Sequence, residues 1–262
     1  MSRSALAVVV ATTDRSSTAA FLDLFGFVAE GPARLVVPDG APVAVELVGA
    51  DRAGRARRDF EVGPRALDLY TTDMDGVLSD AAAAGWTTSA PGTISIGPVT
   101  MRQAMVTGPD GLPVVLVEST HRRSSVLDEH PDRRCSEPHS VVWCVPDLDA
   151  EAARWEAAGW TKGMDLAFSE PAVSDYLGLP RSPVPIRMTM LSGPEVEPVR
   201  LELLEFPDDP GPDPVADEDA AGLRGLSFAV DDRAAVAAAL QLDPATGRTP
   251  GGIGVGLRLG SA

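Results

Sequence analysis

Two carboxylates sit inside apolar, strand-like runs, Glu46 in "VAVELV" and Glu202 in "VRLELLEF". A carboxylate walled in by Val and Leu loses water, so its neutral form gains. It then serves as a proton donor, a proton acceptor or the partner of an arginine such as Arg187 on a neighbouring strand. Asp68 and Tyr70 in "ALDLYT", and Ser140 and Cys144 in "SVVWCV", stand in similar surroundings. The first three carry groups that can hydrogen-bond a ligand. Cys144 lies beside Trp143 in an apolar run with no histidine placed to activate it, which fits a buried structural thiol better than a nucleophile. Other reactive types are scarce. There are three histidines (His121, His130 and His139), two cysteines without a CxxC pair, and one lysine, Lys162, against 21 arginines. Schiff-base and phosphate-loop lysine chemistry are therefore poor prospects, and a disulfide framework is excluded.

Bulk properties narrow the class further. The formal charge of −16 argues against nucleic acid, whose phosphates need clustered Lys and Arg. No apolar run approaches the roughly 18 to 20 residues that span a bilayer. The first one, "ALAVVVA", is short, lacks a small-residue cleavage site and reads as a strand. A cytoplasmic protein is expected. With 262 residues the chain can form one large or two ordinary domains.

The elements that must position these groups appear as repeats. "DMDGVLSDAAAAGWT" (73–87) and "DLDAEAARWEAAGWT" (147–161) share D-x-D at one end and AAGWT at the other. "TDRSSTAAFLDLFGF" (13–27) and "DDRAAVAAALQLD" (231–243) are weaker copies. Each follows a β-branched run and reads as a strand, an Asp or Thr cap and a helix, ended in the first three copies by Gly26, Gly85 or Gly159. "VPDGAPVAVELV" (37–48) and "GPDGLPVVLVES" (108–119) repeat a turn followed by a strand. The fourth copy keeps only "GGIGVGLRL" (251–259) after its helix, so its module is abbreviated. "STHRRSSVLDEHPDRRCSEP" (119–138) reads as a polar linker, and the Pro- and Asp-rich stretch 207–221 as a solvated connector. Tryptophans 86 and 160 recur after equivalent glycines, which points to packing.

The strand, the D-x-D helix ending in Gly-aromatic, and the "PDG" turn before a "V-x-L-V-E"-like strand resemble the vicinal oxygen chelate superfamily. That group includes glyoxalase I, extradiol dioxygenases and bleomycin-resistance proteins. The resemblance implies an α+β fold of tandem βαβββ modules, paired into two cup-shaped domains. The boundaries are read as 1–119 for modules one and two, 120–137 for the linker, and 138–262 for modules three and four.

In metal-dependent members of that group a His opens the first strand of a module and a Glu sits in the last. Here the His position falls on Ala5, Ala66, Ser140 and Gly225, and the Glu position on Val115. His139 stands one residue early and by strand alternation faces the other side. Glu118, three residues beyond Val115, reads as a surface or rim carboxylate. No metal and no cofactor are expected.

Inward parity selects Glu202, Glu46, Asp68, Tyr70, Ser140 and Cys144. An insertion, "FSEPAVSDYLGLPRSPVP" (168–185), carries Tyr176 and precedes Arg187 and Met188, and is expected over the mouth of the second cup. The expected partner is a small, mostly apolar organic molecule, held by a sequestering, resistance or specialised-metabolism binding protein. One alternative is a lyase, isomerase or cyclase using Glu202 as acid or base. A second is a divalent-metal enzyme using His139 with Glu202 or Glu205. Monomer and homodimer both remain open.

Overall fold

The computed structural model describes residues 6–40, 43–55, 60–96, 99–193, 199–209 and 220–259. Ala5 and most of the acidic stretch 207–221 lie outside these residues.

The first module runs β1 (Leu6–Thr12), α1 (Arg15–Asp23), β2 (Val28–Gly31), β3 (Arg34–Val36) and β4 (Val43–Gly49). The second runs β5 (Gly63–Thr71), α2 (Met74–Ala83), β6 (Thr87–Thr88), β7 (Gly92–Ile96), β8 (Val99–Thr107) and β9 (Pro113–Ser119). A single helical turn, α3 (Val126–Glu129), crosses to the third module. That module holds β10 (Cys135–Cys144), α4 (Leu148–Ala157), β11 (Thr161–Phe168), α5 (Pro171–Tyr176), β12 (Ile186–Ser192) and β13 (Arg200–Glu205). Last come β14 (Gly222–Val230), α6 (Arg233–Ala239) and β15 (Gly254–Leu259).

The helix signals act as the sequence implies. Asp73, Asp147 and Asp232 each accept a hydrogen bond from the backbone N–H three residues on, at 3.1, 2.9 and 3.0 Å, satisfying donors that the helix start leaves open. Gly26, Gly85 and Gly159 end their helices with φ of 86°, 87° and 93°, a conformation that favours glycine. Trp160 packs edge-on against Trp155 with centroids 4.7 Å apart, and Trp86 against Phe21 at 5.3 Å. The repeated tryptophans therefore serve packing, Trp160 within the core and Trp86 half-buried against it.

The strands assemble into two mixed sheets. One has the order β15-β14-β1-β4-β3-β2, and the other β11-β12-β13-β10-β5-β9-β8-β6 with β7 on β8. This corrects the expected pairing of first with second and third with fourth modules. β1 runs antiparallel to β14, and β5 antiparallel to β10, so the outer modules share one sheet and the inner two share the other. The physical cause lies in the connection. The segment expected to be a polar linker is partly structural: Cys135–Glu137 already belong to β10, all ten residues of which are buried, and Cys135 pairs with Thr71. A short crossing of this kind sets β10 beside β5 in the larger sheet. One large apolar core then lies between the sheets and helices, with Val8, Leu67, Trp143 and Phe228 among its members. A second apolar cluster lies on the opposite face of the larger sheet, around Tyr70, Val117, Met188 and Leu204. Among the described residues no helix is long and apolar enough to cross a membrane.

Candidate functional site

That second cluster surrounds a cavity of about 440 Å³ inside the curve of the larger sheet. Its floor is built from the central strands β5, β10 and β13, which contribute Asp68, Tyr70, His139, Arg200 and Glu202. Its walls are mostly apolar, with Gln103, Ser119, His121 and Arg123 the polar exceptions. Met188 and Met190 come from β12, Met164, Leu166 and Phe168 from β11, and Ile94, Val99 and Met101 from β7 and β8. Val173 and Tyr176 of α5 close it from above, so the insertion at 168–185 lies over the cavity formed by the inner modules.

Cross-strand register explains the floor. Ser140 is paired with Asp68 on one side and Arg200 on the other, so the three side chains share a face. Ser140 Oγ lies 3.1 Å from Asp68 Oδ2 and 3.3 Å from Glu202 Oε2. A hydroxyl carries one proton. It either shares that proton between the two carboxylates or donates to one while the other, protonated, donates to the serine oxygen. The geometry places two carboxyls and one hydroxyl within proton-sharing reach.

The electrostatics agree. Burial, then the negative charge of Glu202, pushes the Asp68 carboxyl well above the usual carboxylate range. Burial also raises Glu202, against the opposing pull of Arg200 and Ser140. The Tyr176 phenol is pushed up by burial and by both carboxylates, so it stays a neutral hydrogen-bonding group.

His139 departs from the alternation expected of it. Along β10 the partners step from Pro138↔Leu69 to Ser140↔Asp68, two residues against one. Such a bulge re-aims the extra side chain, and both His139 and Ser140 end up on the cavity side. The imidazole stacks on Tyr70 with centroids 4.0 Å apart. Its Nδ1 lies 3.3 Å from Arg200 Nη2. A guanidinium only donates, so Nδ1 accepts and Nε2 carries the hydrogen. Burial, then Arg200 and Arg123, lowers the His139 pKa to about 3, which keeps the ring neutral. Sequence reasoning also passed over Arg200. Its spacing of two from Glu202 was the signal that could have found it.

Three expected site residues are elsewhere. Arg187 points to the other side of the sheet, where it pairs with Glu205 at 2.8 Å and Asp149 at 2.8 Å; its neighbour Met188 takes the cavity face. Glu46 lies in the other sheet, between Arg34 and Arg258, each at 3.0 Å. Cys144 is buried below the cavity and accepts a hydrogen bond from Arg65 Nε at 3.1 Å. Asp68, Tyr70, Tyr176, Met188 and Glu202 do line the cavity, with Ser140 directly beneath. Glu118 faces outward and pairs with Arg102 at 2.7 Å.

Two mutants of glyoxalase I from Zea mays share this architecture. One superposes with a TM-score of 0.63 at 16% identity, covering 96% of this chain and 90% of that one. The other gives 0.62 at 17%, covering 97% and 93%. Glyoxalase I of Zea mays without a stated substitution gives 0.60 at 17%, over 90% and 78%. The chain thus has the fold seen in glyoxalase I. No protein-family model and no curated protein sequence matches the chain.

The resemblance to metal-dependent members of the vicinal oxygen chelate group raises the question of a metal, and the floor does not suit one. Among the described residues no three of His, Cys, Asp and Glu come together in a metal-holding group. The histidine nitrogen that could turn to a cation already faces the guanidinium of Arg200.

Proposed function

We propose that this protein binds a small, mostly apolar organic molecule in the cavity of its larger sheet. The observation that carries this reading is the cavity's composition. Methionine and aromatic walls enclose about 440 Å³, within the ordinary range for small-molecule sites, above a floor with a few convergent polar groups. Methionines conform to irregular apolar shapes and make favourable contacts with aromatic rings. Such a site supports a sequestering, resistance or specialised-metabolism binding role.

Titration with N-phenyl-1-naphthylamine, an uncharged fluorescent aromatic, tests it. One saturable equivalent is expected, weakened at least tenfold by Met190→Trp and by Leu166→Trp, which fill the walls. Fluorescence that never saturates, or that both variants leave unchanged, rejects the cavity as the site.

A second reading rests on the Ser140 contacts. Two carboxyls sharing a proton can remove and return one at a bound molecule, which makes Glu202 an acid–base group of a lyase, isomerase or cyclase. Deuterium incorporation from solvent into a bound molecule, lost in Glu202→Gln with fluorophore binding retained, is its expected signature. Ligands recovered unlabelled from D2O with the wild-type protein count against it.

A further inference from the structure

Arg200 is the anomaly of the cavity. The chain carries 38 acidic against 22 basic side chains, and several of its arginines hold two carboxylates at once. Arg34 takes Glu30 and Glu46, Arg102 takes Asp75 and Glu118, and Arg187 takes Asp149 and Glu205. Among the described residues Arg200 makes no salt bridge. Its Nη2 donates to His139 Nδ1, and its Nε is buried without a hydrogen-bond partner. His139 Nε2, the nitrogen left with the hydrogen, is also buried without one. Two donors on one floor, one of them cationic, therefore lack an acceptor. Leaving them so costs about 1 to 3 kcal/mol each, more for the charged group.

We propose that the cavity selects organic molecules ending in an oxyanion, a carboxylate or phenolate, held by Arg200 and the His139 Nε2–H with the apolar remainder against the methionine walls. This rests on the small-molecule reading above and names the class of ligand. A guanidinium suits either anion, and its fork matches the two oxygens of a carboxylate.

The carboxyls nearby do not exclude it. Burial raises both Asp68, well above the usual carboxylate range, and Glu202, and the Ser140 hydroxyl links the two, so the pair favours keeping a proton and opposes an arriving oxyanion less than two free carboxylates would. Arg123 also lines the cavity, and with Arg200 it lowers the His139 pKa. The other titratable groups turned to the floor are Tyr70 from β5, His121 after β9 and Tyr176 from α5, and none of them is an acid of carboxylate strength.

Competition against N-phenyl-1-naphthylamine tests the proposal, using benzoate, 2-naphthoate and decanoate, each beside its primary amide, and 2-naphthylmethylamine. At least one acid is expected to bind tenfold or more tightly than its amide. Arg200→Gln should bring that ratio near one, each ratio being taken against the variant's own fluorophore affinity. His139→Phe, a second variant should the first not fold, should reduce the ratio severalfold. If no acid exceeds its amide, if the ratio survives both substitutions, or if the amine binds more tightly than 2-naphthoate, the oxyanion proposal falls while fluorophore binding still upholds the cavity. Failure of the fluorophore to bind wild-type protein removes both.

Discussion

His139 lies flat on Tyr70, ring centroids 4.0 Å apart and planes 10° from parallel, so the imidazole spends its face on an aromatic and its Nδ1 on a guanidinium. That arrangement suits only the neutral ring. A proton on Nδ1 would set two donors against each other, and both Arg200 and Arg123 would repel the charge.

The consequence is a pH dependence of stability with a definite sign. The unfolded His takes up its proton near pH 6.5, and the folded one only near 3. Between those values the unfolded state binds more protons, so the His139 contribution is complete above about pH 6.5 and is lost as pH falls. The slope attributable to it approaches about 1.4 kcal/mol per pH unit. Urea unfolding of wild type and His139→Phe from pH 7.5 to 4 should show the stability difference moving in favour of the variant as pH drops. A difference that is flat with pH contradicts a neutral, buried imidazole.

Asp68 predicts the opposite sign. Its carboxyl is raised in the folded state by burial and by Glu202. The folded state therefore holds a proton that the unfolded state has already released above about pH 4, and stability is lost as pH rises through the window above that value. Asp68→Asn cannot ionise. It should gain stability relative to wild type, by an amount that grows with pH from 4 towards 8. A constant offset across that range would mean that Asp68 is ionised in the fold.

How far the sequence revealed this site can be read from particular residues. Asp68, Tyr70, Met188 and Glu202 follow simple alternation along their strands, and all line the cavity. His139 does not, because a bulge is a departure from alternation and pairing with a distant strand creates it. Glu46 and Cys144 have inward parity, yet parity says only which face of a strand, not which sheet or depth. Modules were legible from their D-x-D caps and glycine ends, which are local. Which module pairs with which was not, because it depends on β10 meeting β5 across some seventy residues, a contact without local signature.

Glu151 carries a structural load of another kind. It is fully buried, accepts from Trp155 Nε1 at 3.0 Å and from the Gly251 N–H at 3.1 Å, and pairs with Arg154 at 2.9 Å. It thereby ties α4 to the loop that leads into β15. Glu151→Ala leaves an indole N–H, a backbone N–H and part of a guanidinium without their acceptor. The expected loss is about 3 to 5 kcal/mol, read from urea or thermal unfolding. Glu151→Gln, which keeps an amide oxygen, should lose less. A loss under about 1 kcal/mol in the alanine variant would show that water replaces the carboxylate there.

Gly225, one of the positions where the sequence resemblance would place a metal-binding histidine, has no room for a side chain. Its φ is +158°, and a Cβ built on it would stand 2.0 Å from the backbone oxygen of Gly254, its partner on β15. Backbone cannot yield as a side chain can, so any larger residue must break the β14–β15 pairing that completes the smaller sheet. Gly225→Ala is expected to cost about 3 kcal/mol or more, at the severe end for a single methyl group. Hydrogen exchange should show the loss first at the amides of β15. The distant cavity should still bind N-phenyl-1-naphthylamine while the variant remains folded, because β5, β10 and β13 do not touch this edge strand in their ladder. A variant as stable as wild type would mean that β15 is free to slide away from β14, which would remove close backbone packing as the reason for glycine at this position.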